Sequence, residues 1–165
     1  MNNVAKIKFA KIKDGAIIPS KRDEDAGYDI YACLDEPYIV ILPHETKLIP
    51  TGIASACDKD YCFILKERGS TGTKGIAQRG GIIDSGYRNE WFVPVTNTTN
   101  QPIVIGNNIE AAEGYRHAIF YPVTKAICQA LIVPVPTSKV EEVSYDDLIQ
   151  ISSERGMGAL GSSNK

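Results

Sequence analysis

Proline is the residue that most restricts this chain. Pro19, Pro37, Pro43, Pro50, Pro94, Pro122, Pro134 and Pro136 punctuate short β-branched runs. Because proline lacks an N–H and is excluded from a helix interior, this spacing admits short strands and sheet edges and rejects long helices. The runs are residues 4–11, 38–42, 46–49, 61–65, 91–96, 102–105 and 126–135, each alternating or continuously apolar between turn residues. Their rhythm is that of an all-β sandwich. One helical turn is predicted over 144–151, with Ser144 as cap and acidic residues in its first turn. Residues 107–121 show no periodicity and read as a loop. Residues 152–165 carry glycine and serine with almost no apolar anchor, and read as a flexible C-terminal arm behind a single domain of residues 1–151.

A chain of 165 residues suits one domain with a proper core. Its formal charge of -2 and pI near 5.7 argue against a polyanion-binding surface, so direct nucleic-acid binding is not expected and any phosphate contact must come from a few placed cations. Cys33, Cys57, Cys62 and Cys128 lack zinc-like spacing, and His44 and His117 are the only histidines. Core thiols in a reducing compartment are the simplest reading. The N-terminus has no signal-like apolar run and no eighteen apolar residues occur together, so the expectation is a soluble cytoplasmic protein without a membrane partner.

Chemistry concentrates in residues 80–90. Gly80 and Gly81 permit a tight turn or close backbone approach, Asp84 follows the apolar pair Ile82-Ile83, and Tyr87 stands beyond Gly86. A carboxylate at the end of a buried strand can take a proton, and a ring beside it can wall a pocket. Taken alone, the stretch also reads as a strand ending in an Asp-Ser-Gly turn. Four further stretches carry similar double readings. Ala26-Gly27-Tyr28-Asp29-Ile30-Tyr31-Ala32 is a strand start or part of a site. Arg68-Gly69-Ser70-Thr71-Gly72-Thr73-Lys74-Gly75 is a polar turn or a phosphate loop. Gln129 within Ile127-Cys128-Gln129-Ala130-Leu131 puts an amide in an apolar strand, where it needs a partner. Arg155-Gly156-Met157-Gly158-Ala159-Leu160-Gly161-Ser162-Ser163 is a disordered tail or a strap that orders over an anion.

In this order, on an all-β chain of this size, the five stretches resemble the motifs of the homotrimeric dUTPase family, and Leu48-Ile49-Pro50-Thr51-Gly52-Ile53 fits between the first two. The resemblance implies a dUTPase-like β jelly roll (a β-clip sandwich), a homotrimer whose sites are shared between subunits, and hydrolysis of dUTP to dUMP and pyrophosphate with Mg2+. Such an activity limits uracil incorporation into DNA and supplies dUMP for dTMP synthesis. By resemblance, Asp84 is the general base. Tyr87 packs on the deoxyribose and excludes a 2′-hydroxyl, and Gln78 through Ile83, with Gly81 allowing close approach, hold uracil largely by backbone hydrogen bonds. Arg68, Gly69, Ser70 and Gln129 are implied for the phosphates, and Arg155, Leu160, Gly161, Ser162 and Ser163 for the closing strap. Asp29 is implied to support the metal through water, the ion being held mainly by phosphates, in keeping with the ligand preference of magnesium.

The chain departs from the family pattern twice. Gly69 stands where the second motif has its first serine, so either Ser70 or backbone N–H groups must serve the phosphate. Leu160 replaces the phenylalanine of the fifth motif, which forfeits base stacking of roughly 1–3 kcal/mol. Phe92, with Trp91 as second choice, is the aromatic placed to cover the base instead, the alternative being that both rings serve the core or a subunit contact. The unpatterned residues 107–121, longer than the link expected between the third and fourth motifs, read either as a subunit contact or as a surface for a regulatory protein partner. Two other functions share these features: a dCTP deaminase-like enzyme of the same fold, and a nucleotide-sensing module that binds a protein.

Overall fold

The structure, a computed structural model, describes residues 5–158. In chain order its strands are β1 (Ile7–Lys11), β2 (Tyr28–Ile30), β3 (Tyr38–Ile41), β4 (Thr46–Pro50), β5 (Ile53–Cys57), β6 (Tyr61–Lys66), β7 (Ile76–Gln78), β8 (Ile82–Ile83), β9 (Phe92–Asn97), β10 (Ile103–Gly106), β11 (Ile119–Pro122) and β12 (Cys128–Pro134). Helix α1 (Gly69–Gly72) follows β6, and α2 (Tyr145–Gln150) follows β12. Four small sheets result, with strand orders β1-β5, β11-β10-β3, β2-β12-β6-β8 and β4-β9-β7. The fold is all-β, as the strand and proline rhythm predicts, and jelly-roll-like, as the family resemblance implies.

Alternation decides which side chains enter the core. Along β9, Val93, Val95 and Asn97 are buried while Phe92, Pro94 and Thr96 are not, the period of two that a half-buried strand requires. All four residues of β10 are buried, because β3 and β11 flank it. Phe9, Phe63 and Trp91 form an aromatic cluster with ring centroids 4.9–5.5 Å apart, and the Trp91 indole N–H donates to Ser55 Oγ at 3.1 Å. The buried Asn97 amide donates to the Ile41 and Gln101 carbonyls at 3.0 and 2.7 Å. Its oxygen accepts the Thr99 backbone N–H at 2.9 Å, so a polar group in the core is matched instead of stranded.

Several expectations need correction. Residues 107–121 are not one loop: Ile119–Pro122 is strand β11, preceded by a 3-10 turn at Ile109–Ala111. The excursion has a topological cause. β10 and β11 run parallel, and parallel neighbours need a crossover of about a dozen residues. Strand β8 at Ile82–Ile83 stands where a strand ending at Asp84 was expected, whereas β5, β7 and β11 were not anticipated: the three residues of β7 carry no period, the Ala-Ser-Ala of β5 carries little hydrophobic signal, and β11 ends the unpatterned stretch. The helical turn stands as expected, over Tyr145–Gln150, with Ser144 Oγ accepting the Asp147 N–H at 3.1 Å. Of the four thiols only Cys128 is fully buried, and its pKa is pushed far up by that burial. Among the described residues no helix is long and apolar enough to cross a membrane.

Candidate functional site

The sheet β2-β12-β6-β8 brings the predicted residues together, and it does so in two places. Gln129 of β12 faces Asp29 of β2 on one side and Lys66 of β6 on the other. The chain leaving β6 runs through Glu67 into Arg68 and α1, so the first, second and fourth motifs meet at one end of the sheet. They line a cavity of about 690 Å³ together with the Ser20–Asp25 loop. Arg68 Nε lies 3.0 Å from Asp29 Oδ1. The Gln129 amide finds its partner in the Glu67 carbonyl, to which Nε2 donates at 2.8 Å. Gly27 is required by that amide: a Cβ there would sit 2.6 Å from Gln129 Oε1.

Thr71 shapes the phosphate loop, a role the sequence did not suggest. Fully buried, it accepts the Arg68 backbone N–H and donates to the Arg68 carbonyl, both at 3.0 Å, closing the first turn of α1. Gly69 and Ser70 follow on the exposed side. Gly69 has ordinary backbone angles, and a Cβ there would meet nothing within 4 Å. Behind the loop, burial pushes the Tyr121 hydroxyl up from its usual range, while the neighbouring Ser70 and Arg68 side chains pull the other way. That hydroxyl donates to the Ala126 carbonyl at 2.6 Å.

The second place is the glycine turn between β7 and β8, strands that belong to different sheets and do not pair with each other, so residues 78–83 are not a hairpin. Gly81, Ile82, Ile83, Asp84, Tyr87, Phe92 and Pro94 line a pocket of about 250 Å³. Gly80 and Gly81 both have positive φ, 61° and 106°. A Cβ on Gly81 would approach Gln78 Nε2 to 2.5 Å and Leu65 Cβ to 2.8 Å. Gln78 is buried, and its Nε2 donates to the Arg79 and Gly80 carbonyls at 2.7 and 3.0 Å, so its side chain sets the turn. Asp84 leaves the end of β8 exposed, its carbonyl accepting the Tyr87 N–H at 3.0 Å. The Tyr87 ring is fixed at its far end, where the hydroxyl donates to the Glu90 carbonyl at 2.9 Å.

Phe92 is 41% exposed and faces this pocket, whereas Trp91 is wholly buried in the aromatic cluster. Trp91 is therefore excluded as the cover for a base. Its burial is set by alternation along the strand, which puts adjacent residues on opposite faces.

The two places share no lining residue. Asp29 lies on one edge strand of the sheet and Ile83 on the other, three strand spacings or roughly 14 Å across the sheet and three residues or roughly 10 Å along it. Arg155 is exposed and lines neither pocket. Leu160, Gly161, Ser162 and Ser163 lie outside the described residues. Among the described residues no three His, Cys, Asp or Glu side chains converge as a metal cage.

A jelly-roll-like chain with an Asp/Arg/Gln cavity at one edge of a sheet and an Asp/Tyr turn at the other shares its fold with solved dUTPases. The dUTPase of Staphylococcus bacteriophage 80alpha, with dUPNHPP, superposes with a TM-score of 0.72 at 24% identity, over 98% of this chain and 98% of that one. The sequence pattern of the dUTPase family matches residues 13–113. Deoxyuridine 5′-triphosphate nucleotidohydrolases are similar along nearly the whole length. That of Nautilia profundicola is 30% identical over 97% of this chain and 99% of its own. That of Neisseria meningitidis serogroup C is 32% identical over 98% and 97%. The chain belongs to the dUTPase family.

Proposed function

We infer that the protein is a dUTP diphosphatase, hydrolysing dUTP to dUMP and pyrophosphate. The observation that carries this reading is the smaller pocket, where the Asp84 carboxylate, the sugar-sized Tyr87 ring and a glycine-turned backbone edge meet. The Asp84 carboxylate takes the proton of the attacking water as its oxygen bonds the α-phosphorus, and pyrophosphate departs. Tyr87, tethered through its hydroxyl, presents a fixed ring face to the deoxyribose, and steric exclusion there is needed because apolar pockets reject an added hydroxyl only about 10²-fold. The backbone of 79–83 reads the base, and Phe92 covers it. Arg68 and Gln129, with the first turn of α1, receive the phosphates, and Arg155 with Ser162 and Ser163 closes the arm over them.

Mg2+ suits this arrangement. Asp29 is a carboxylate on the phosphate cavity beside Arg68, placed to accept hydrogen bonds from metal-bound water, and the ion prefers phosphate oxygens and waters to a protein cage. When bound it would offset phosphate charge and orient the chain of phosphates.

The separation of the two pockets supports sites shared between subunits, as in the homotrimer of the family, with one subunit supplying the Asp84/Tyr87 turn and a neighbour the phosphate cavity, since neither half alone holds both ends of the nucleotide. Release of pyrophosphate, measured over deoxy- and ribonucleotides with and without Mg2+, tests base, sugar and metal together. Ammonia from dCTP would instead establish the deaminase, and tight dUTP binding without turnover would establish the sensor.

A further inference from the structure

The phosphate cavity has a wall that none of the roles above uses. Ser20 to Asp25 forms a loop pinned at its start, where the Asp29 N–H donates to the Ser20 carbonyl at 2.9 Å. It is confined at its end by Gly27, whose missing Cβ leaves space for Gln129. The loop therefore holds a fixed place opposite Arg68. It brings Arg22 and Lys21 to the same cavity.

Arg22 already grips an anion there. Its Nε and Nη2 donate to Asp25 Oδ2 and Oδ1 at 2.8 and 3.0 Å, a two-pronged pair, and the Arg22 backbone N–H adds a contact to Oδ2 at 3.3 Å. The Asp25 carboxylate presents two oxygens to the guanidinium fork just as a phosphate would, and the fork fits both. With Arg22 87% exposed, little desolvation accompanies an exchange of one for the other. A triphosphate oxygen, richer in charge than a carboxylate, is the stronger acceptor. Lys21 reinforces the wall from behind, its Nζ donating to the Arg22 carbonyl at 3.2 Å and lying 5.6 Å from the Tyr28 ring centre.

We propose that Arg22 is a further substrate-binding residue, which exchanges Asp25 for the phosphates beyond the α-position and so separates triphosphate from the dUMP product. This rests on the dUTPase reading above. The test measures the affinity of the whole protein, with Mg2+, for dUMP, dUDP and an imido analogue of dUTP, in the wild type, Arg22→Ala and Asp25→Asn. Arg22→Ala is expected to weaken the analogue roughly tenfold, with dUMP unchanged. Asp25→Asn, which releases the guanidinium, is expected to bind the analogue at least as tightly as the wild type. Arg22→Ala with all three affinities unchanged, or all weakened alike, overturns the proposal. So does an Asp25→Asn that loses as much as Arg22→Ala, because the pair would then only brace the loop. A wild type that binds none of the three removes the substrate reading itself, whereas tight wild-type binding untouched by Arg22→Ala removes this inference alone.

Discussion

Two adjacent glycines in the turn between β7 and β8 make separable predictions. Gly81 has φ near 106° and almost no space for a Cβ, while Gly80 has φ near 61° with nothing within 4 Å. Gly80→Ala should cost only the left-handed penalty, about 1–2 kcal/mol, and leave KM for dUTP near its original value. Gly81→Ala should cost more, because Leu65 and Gln78 must move, and should raise KM as the base-reading edge shifts. Thermal melts and steady-state kinetics on the pair check the order. Phe92→Ala should weaken binding of a dUTP analogue by roughly 1–3 kcal/mol, the value of one stacked base, with Phe92→Tyr largely restoring it. An unchanged affinity would assign the ring to a subunit contact.

At the level of elements, Glu67 joins the two pockets' supports. Its carbonyl accepts from Gln129. Its carboxyl is held below the ordinary value of 4.5, first by its own backbone N–H and also by Lys66 and the Gln78 backbone. A depressed acid stabilises the folded state when ionised, so the contribution is complete above the ordinary value and fades as pH falls through the lower, folded one. Melting temperatures should therefore drop below about pH 4.5 in the wild type, and Glu67→Gln should flatten that part of the profile while lowering stability at pH 7. The same elements show what could be read in advance. The long runs that became β1, β3, β4, β6, β9, β10 and β12 were legible because proline and turn residues bound them and each is alternating or, like the wholly buried β10, continuously apolar. Thr71, Tyr121 and Glu67 were not, since each acts through a partner distant in sequence or through burial, and no local pattern marks either. Trp91 and Phe92 were legible as a pair, but which one is buried depended on register.

For the whole molecule, the distance between the pockets makes a complementation test decisive. Asp84→Asn and Gln129→Ala should each lose most activity, the first in kcat by about 10²–10⁴-fold and the second mainly in KM. Mixed from unfolded chains and refolded together, they should regain activity. In a ring where each site joins the Asp84 turn of one copy to the Gln129 cavity of the next, random mixing leaves about one site in four intact. No recovery, in a species whose mass is trimeric, would mean that each chain completes its own site.

Strand β12 lies between β2 and β6 in the sheet that carries both pockets, yet among the twelve strands it is the final one in the chain. During synthesis, β2 and β6 must wait without their shared neighbour until residue 134 has cleared the ribosome. The cavity lined by Asp29, Arg68 and Gln129 thus has no early precursor, and this part of the protein gains its shape only after the last of the described strands has been made.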